Sequence, residues 1–86
     1  MKTVWKFPLR KETTEICAPI TKFLTVQDQG GIYMLWAEVE TLNDNKRYDI
    51  RFYGTGHEID DGFQYIATVQ DVGGMLIWHA YYKEAI

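Results

Sequence analysis

"GIYMLWAEVETLNDNKRYDIRFYG", residues 31–54, decides the fold class, because two runs with a period of two flank one polar segment. In the first run, apolar side chains recur on one face, at Tyr33, Leu35, Ala37 and Val39. Alternation of this kind is typical of a β-strand with one buried face. In the second run, Tyr48, Ile50 and Phe52 alternate with charged residues. The Asn and Asp residues of 41–46 favour a chain reversal, so we expect two antiparallel strands, 31–40 and 46–54.

The rest of the chain repeats this pattern. Further alternating segments are 3–9, 20–27, 63–70 and 75–83. In the second of these, Ile20, Leu24 and Val26 share a face. "DQGG" (28–31) and "DVGG" (71–74) contain glycines that suit hairpin turns. Pro8 and Pro19 belong at edges or strand ends. The sequence predicts an all-β fold, an antiparallel meander of about six strands curled into a small barrel or sandwich, with room for one short helical turn within 58–70.

Length and composition restrict the class of protein. The 86 residues form one domain, 1–86, and a hydrophobic content of 47% excludes intrinsic disorder. The net charge of −3 argues against general DNA or RNA binding, which requires a basic face. No run approaches the length of a membrane span or the apolar core of a signal peptide. With Cys17 as the single cysteine, we expect a cytosolic protein without disulfides.

Catalytic and metal chemistry find little support in the sequence. His57 is followed closely by Glu58, Asp60 and Asp61, but the other imidazole, His79, is 22 residues away. A zinc site needs three or four ligands at defined spacings, so we interpret this segment as a solvated acidic loop. Cys17 follows Ile16 in an expected strand and is interpreted as a small buried thiol. We therefore predict a protein that is not an enzyme and that holds no metal or cofactor.

Aromatic and basic residues on the two central strands suggest a binding surface. If 31–40 pairs with 46–54, Trp36 and Arg51 lie close together on one exposed face. Such a pair holds a base by stacking and its phosphate by charge-assisted hydrogen bonds, and backbone N–H groups of 54–56 could assist. The predicted ligand-binding residues are Trp36, Arg47, Arg51, Tyr53, Gly54, Thr55 and His57. The competing interpretation is that these side chains stabilise neighbouring strands by cross-strand pairing.

Segment 75–83 has large residues on both faces. Such a strand is either central in a sandwich or half of a subunit interface. A chain this rich in aromatic residues also leaves some of them outside a small core, so we predict a homo-oligomer.

Several pieces occur together that resemble a family of short, uncharacterised proteins of tailed phages and prophages. They are "VWKFPL" (4–9), "MLWAEV" (34–39), "GTGHEID" (54–60), "YIATVQ" (65–70) and "GGMLIWHAY" (73–81). The resemblance covers most of the chain outside 10–30. It implies a viral protein made in the cytoplasm of a host bacterium, and it implies no catalytic or binding residue.

These observations favour a small non-enzymatic binding protein that sequesters a small ligand, for example a signalling nucleotide of host defence. The Gly54–His57 segment would act as a lid or as a backbone donor. The alternatives are an inhibitor that binds a host protein through an edge strand or aromatic patch, and an accessory or structural phage protein.

Overall fold

Seven β-strands make up the computed structural model, which describes residues 1–71 and 73–85. They are β1 (Lys2–Leu9), β2 (Thr13–Ala18), β3 (Ile20–Gln29), β4 (Ile32–Glu40), β5 (Lys46–Gly54), β6 (Gln64–Gln70) and β7 (Ile77–Glu84). The predicted all-β class is confirmed, and the additional strand is β2. The described residues contain no helical turn in 58–70 and no helix of a length and apolarity that would cross a membrane.

The strands form two antiparallel sheets packed as a sandwich, not a closed barrel. One sheet has the order β1-β4-β3 and the other the order β2-β5-β7-β6. The hairpin at 28–31 is confirmed by the positive φ of Gly30 and Gly31. In the segment 71–74, Gly74 also has a positive φ, and Val72 lies outside the described residues.

The expected meander is wrong at one decisive point. Strands β4 and β5 are consecutive in the chain, yet they belong to different sheets. The polar segment 41–45 therefore carries the chain from one layer to the other and does not close a hairpin. The chain changes layer again between β2 and β3, at Pro19, whose missing N–H prevents it from continuing a ladder.

The core lies between the inner faces of the two sheets. The three-stranded sheet contributes Val26, Tyr33, Leu35, Ala37 and Val39, and the four-stranded sheet contributes Ile16, Ala18, Tyr48, Ile50, Val69 and Ala80. On β4 and β5 these positions are the alternating residues that the sequence indicates. The burial of alternate side chains in both layers is what holds the two sheets together.

Strand β3 departs from simple alternation. Its pairing with β4 shifts register between Ile20 and Lys22 and again between Phe23 and Thr25. Each shift moves the following side chains to the opposite face. As a result Phe23 and Val26 pack towards the core, whereas Leu24 is 38% exposed. The prediction that Leu24 shares the buried face was wrong.

Strand β7 is central in its sheet, between β5 and β6. Its inner face packs Trp78, Ala80 and Tyr82 towards the core. Its outer face, which includes His79 and Tyr81, contacts the segment that connects β5 to β6. The large residues on both faces of this strand are thus explained by its central position in the sheet.

Candidate functional site

Three predicted ligand residues lie in a row on the outer face of β5. Arg47, Arg51 and Tyr53 alternate with the buried residues of that strand, so their side chains point away from the core. The segment 55–63 folds back over this face beyond the end of β5.

Arg51 is held by contacts within the protein. Its Nη1 donates to Oδ2 of Asp60 at 2.8 Å. Its guanidinium carbon lies 4.7 Å from the centroid of the Phe63 ring, a cation–π distance. The guanidinium is therefore already paired with one carboxylate and stacked on one ring.

Tyr53 is buried, contrary to its expected exposure, because the 55–63 segment covers it. Its hydroxyl donates to the same Oδ2 of Asp60 at 2.7 Å, and its ring makes edge contacts with Phe63 and Tyr81. Burial, followed by the hydrogen bond with Asp60, raises the pKa of Tyr53. The hydrogen bond from Tyr53, followed by that from Arg51, lowers the pKa of Asp60.

Gly54, Thr55 and His57 also bind neighbouring protein groups. The Gly54 N–H donates to Nδ1 of His57 at 3.1 Å, and the His57 N–H donates to the Gly54 carbonyl at 3.1 Å. The Thr55 hydroxyl is 2.9 Å from Nε2 of His79. The other ring nitrogen of His79 is 2.9 Å from the hydroxyl of Thr68. Five of the seven predicted residues thus bind groups of the protein itself. We call them, together with Asp60, Phe63 and His79, the outer cluster; the five are Arg51, Tyr53, Gly54, Thr55 and His57.

Trp36 is not part of this cluster. It lies on the outer face of the three-stranded sheet, where its register neighbours are Lys6 on β1 and Thr25 on β3. The prediction that Trp36 approaches Arg51 through a β4–β5 hairpin was wrong, because the two strands lie in opposite layers. Arg47 is also distant from Trp36, and its Nε lies 3.5 Å from Oε1 of Glu15 on β2.

The groups considered for catalysis and metal binding are dispersed. Among residues 1–71 and 73–85, no three His, Cys, Asp or Glu side chains converge in a way that would hold a metal ion. His57 and His79 have separate partners, although β5 and β7 are neighbours. Cys17 is exposed on the outer face of β2, so its interpretation as a buried thiol was wrong.

A cleft of about 390 Å³ opens where β3 lies against the β6–β7 end of the other sheet. Phe23, Tyr48 and Tyr82 form its aromatic wall, and Tyr65 also lines it. The rings of Phe23 and Tyr82 are stacked with centroids 4.0 Å apart, and Phe23 meets Tyr48 edge-on at 5.3 Å. The three rings fix one another, so the wall is formed without a ligand.

The rim of this aromatic cleft is polar and contains one positively and one negatively charged side chain. Lys22, Gln64 and Glu84 line it, and Gln64 Oε1 accepts a hydrogen bond from the Tyr82 hydroxyl at 3.0 Å. Burial, with smaller contributions from Glu84 and Tyr82, raises the pKa of Tyr48, which keeps its hydroxyl protonated. A planar group with an anionic substituent is the kind of molecule that such a wall and rim can bind.

Sequence analysis did not identify the aromatic cleft, because its residues come from strands distant in the chain. The one available signal is the surplus of rings, since aromatic residues make up 15% of the sequence. A second, smaller depression of about 320 Å³ includes Arg51, Phe63 and Lys83 on the outer face of the four-stranded sheet. There Lys83 Nζ lies 5.9 Å from the Phe63 centroid.

Comparisons with known proteins give a family and no activity. Neither the curated proteins nor the solved structures include a significant match to this chain. A family model, described as Domain of unknown function (DUF7352), matches residues 1–86. The match spans the entire chain, in agreement with the expectation of an uncharacterised family. The chain therefore belongs to the DUF7352 family of domains of unknown function.

Proposed function

We propose that this protein is a non-enzymatic binding domain that holds a small ligand with a planar ring and an anionic group, such as a nucleotide, in the aromatic cleft. The observation that carries the proposal is the cleft itself, about 390 Å³ in volume, with Phe23, Tyr48 and Tyr82 as its wall. Small-molecule sites in proteins begin at roughly 300 Å³ and combine apolar walls with a few polar groups.

The position of the cleft supports recognition of a ring. Phe23 and Tyr82 are half-buried, so their stacked pair retains surface that another planar group can cover. Stacking on an aromatic side chain contributes about 1–3 kcal/mol per base, and it tolerates different bases. The ring contacts of the wall are already formed before binding, and such preorganisation reduces the entropy lost when a ligand is ordered.

The rim supports recognition of charge. Lys22 is exposed at the cleft and makes no ion pair among the described residues. Its ammonium can bind a phosphate, while the amide of Gln64 and the carboxylate of Glu84 can hydrogen-bond to a base edge. Among the described residues, no histidine or cysteine lines the cleft, and we propose binding without turnover.

We extend the proposal with the resemblance to short phage proteins. In that setting the ligand is a signalling nucleotide of the host, the protein acts in the host cytoplasm, and capture of the nucleotide weakens a defence response. The aromatic cleft replaces Trp36, Arg47 and Arg51 as the proposed place of capture. The outer cluster around Arg51 is assigned a structural role, because its polar groups bind one another.

Isothermal titration calorimetry with a panel of linear and cyclic mono- and dinucleotides tests the proposal. We expect at least one nucleotide to bind the native protein, and Tyr82→Leu to weaken that binding about tenfold or more through loss of stacking. Lys22→Gln should weaken binding of the nucleotide but leave binding of the corresponding nucleoside unchanged, because the nucleoside has no phosphate.

Two matched controls lie on the other side of the molecule. Trp36→Ala and Lys6→Gln alter an aromatic residue and a lysine of the outer face of the three-stranded sheet, and both should bind as the native protein does. Absence of heat with every nucleotide at millimolar concentration would refute ligand capture. Loss of binding in Trp36→Ala with full binding in Tyr82→Leu would refute the aromatic cleft as its site.

A further inference from the structure

The sandwich has four edge strands, and three of them carry features that prevent pairing with another chain. β1 contains Lys2, Lys6 and Pro8. β3 and β6 have shifts in register, and they lie against each other at the side of the sandwich. Lysine, proline, bulges and coverage are the usual means by which proteins protect a sheet edge.

β2 has no lysine, no proline and no shift in register. Its six residues, TTEICA, contain no proline and no lysine, and they pair with β5 in continuous register from Thr13 to Ala18. On its outer face Thr13, Glu15 and Cys17 are exposed, and on its inner face Ile16 and Ala18 are buried in the core. Its other side has no ladder partner in the part of the chain that the structure describes. An edge strand with continuous register and β-branched residues is a template for a further strand.

We propose that β2 pairs with β2 of a second copy of this chain, antiparallel and about a two-fold axis, so that the two four-stranded sheets form one eight-stranded sheet. A second copy suits this edge because two identical antiparallel strands can pair with their exposed side chains on one side of the sheet and their buried side chains on the other. The pairing continues the four-stranded sheet across the axis, with its inner and its outer face each kept on one side.

The alternation of faces restricts the register. Residues opposite each other in an antiparallel pair point to the same side of the sheet. The two-fold axis must therefore bring one residue opposite its own copy, and it cannot lie midway between two successive residues. An axis at Glu15 would place the two Glu15 carboxylates directly opposite each other, which is destabilising. Of the other positions, an axis at Ile16 pairs five residues of β2, whereas an axis at Thr14 or Cys17 pairs three. The Ile16 axis is therefore favoured, and it places Ile16 opposite its own copy and Glu15 opposite position 17 of the second copy.

This register makes substitutions at Cys17 diagnostic. Within one chain, the register neighbour of Cys17 is Arg47 on β5. Cys17→Glu therefore gains an attractive neighbour in the monomer but opposes Glu15 of the second copy. Cys17→Lys has the reverse effect, because it repels Arg47 and attracts Glu15 across the axis. The stability of the monomer and the affinity of the dimer should therefore change in opposite directions.

Sedimentation equilibrium of the native protein and these two variants tests the proposal. We expect the native protein to dimerise reversibly, and the dimer of Cys17→Lys to be about tenfold or more tighter than that of Cys17→Glu, since each charge contact occurs twice. A native chain that remains monomeric up to about millimolar concentration overturns the proposal. Equal dissociation constants for the two variants overturn the β2 interface.

Disulfide trapping provides a second readout. Opposite residues in an antiparallel pair have Cα atoms about 4.5–5.5 Å apart, a separation that a disulfide can span. Glu15→Cys should therefore form a covalent dimer with Cys17 of the second copy under mild oxidation. Glu15→Cys combined with Cys17→Ser should not, because its remaining thiols lie on a diagonal. Equal cross-linking of the two variants would contradict the register centred on Ile16.

Discussion

Gly54 packs closely against the segment that follows β5. A Cβ added there would lie 2.9 Å from Cε1 of the His57 ring. That ring cannot swing away without losing the hydrogen bond that its Nδ1 accepts from the Gly54 N–H. We expect Gly54→Ala to lower the free energy of unfolding by about 1–3 kcal/mol, the usual cost of overpacking, as measured by urea denaturation.

A double-mutant cycle isolates the cause of this loss. With His57→Ala as background, the ring that the new methyl group meets is absent, so Gly54→Ala should cost much less. The same cost in both backgrounds would show that backbone conformation, and not the His57 ring, makes glycine necessary at position 54.

Asp60 makes the stability of the outer cluster depend on pH. Hydrogen bonds from Tyr53 and then Arg51 lower its pKa below the ordinary value of 3.8, whereas the unfolded chain retains that value. The unfolded state therefore binds the proton first as the pH falls. The stabilisation of the folded state by the Asp60 carboxylate is therefore present above about pH 4, and it is lost as the pH falls through the pKa of Asp60 in the folded state.

Asp60→Asn provides the comparison, because an amide still accepts a hydrogen bond from Tyr53 but does not ionise in this range. We expect the native protein to be more stable than Asp60→Asn near pH 7, and the difference to diminish towards about pH 3. Urea midpoints of both proteins across this range measure it. A difference that does not change with pH would show that the carboxylate charge of Asp60 contributes nothing to stability.

At the scale of single strands, alternation predicted β4 and β5 well and β3 poorly. Leu35 lies on the buried face of β4, as its period of two indicates. Leu24 was placed in the core by the same reasoning, but the register shifts of β3 expose it. A bulge inserts one residue into the ladder without changing the composition of the strand, so the hydrophobic pattern alone does not reveal it.

The two leucines therefore form a matched pair. Leu35 is 0% exposed in the core, and we expect Leu35→Ala to lower the free energy of unfolding by about 2–5 kcal/mol. Leu24→Ala removes the same atoms from a site that is 38% exposed, so it should cost less than half as much. Denaturation in urea compares the two directly. Equal losses would mean that Leu24 is buried and that β3 has the simple register.

At the scale of the whole molecule, the sequence predicted the class of fold but not which strands lie side by side. The segment 41–45 has the polar composition of a hairpin turn and of a connection between layers, and composition does not distinguish the two. That ambiguity misplaced Trp36 relative to Arg51. The aromatic cleft was missed for a related reason, since Phe23, Tyr48 and Tyr82 come together only after the two sheets pack.

The shared core also determines how the molecule unfolds. Neither sheet can bury its inner face alone, because Val26 and Leu35 of one layer pack in the same cluster as Ile50 and Val69 of the other. We therefore expect a single cooperative transition. The tryptophans provide local probes, since Trp5 and Trp36 belong to the three-stranded sheet and Trp78 belongs to the four-stranded sheet.

Two variants with one tryptophan each make the test. Trp5→Phe combined with Trp78→Phe leaves a reporter in the three-stranded sheet, and Trp5→Phe combined with Trp36→Phe leaves one in the other sheet. Within each variant, tryptophan fluorescence and far-ultraviolet circular dichroism should give the same urea midpoint, because both layers lose the common core together. Comparison within a variant removes the effect of the substitutions on stability. Fluorescence that changes before the dichroism in either variant would show that one sheet persists without the other, and that the core between them is not the main source of stability.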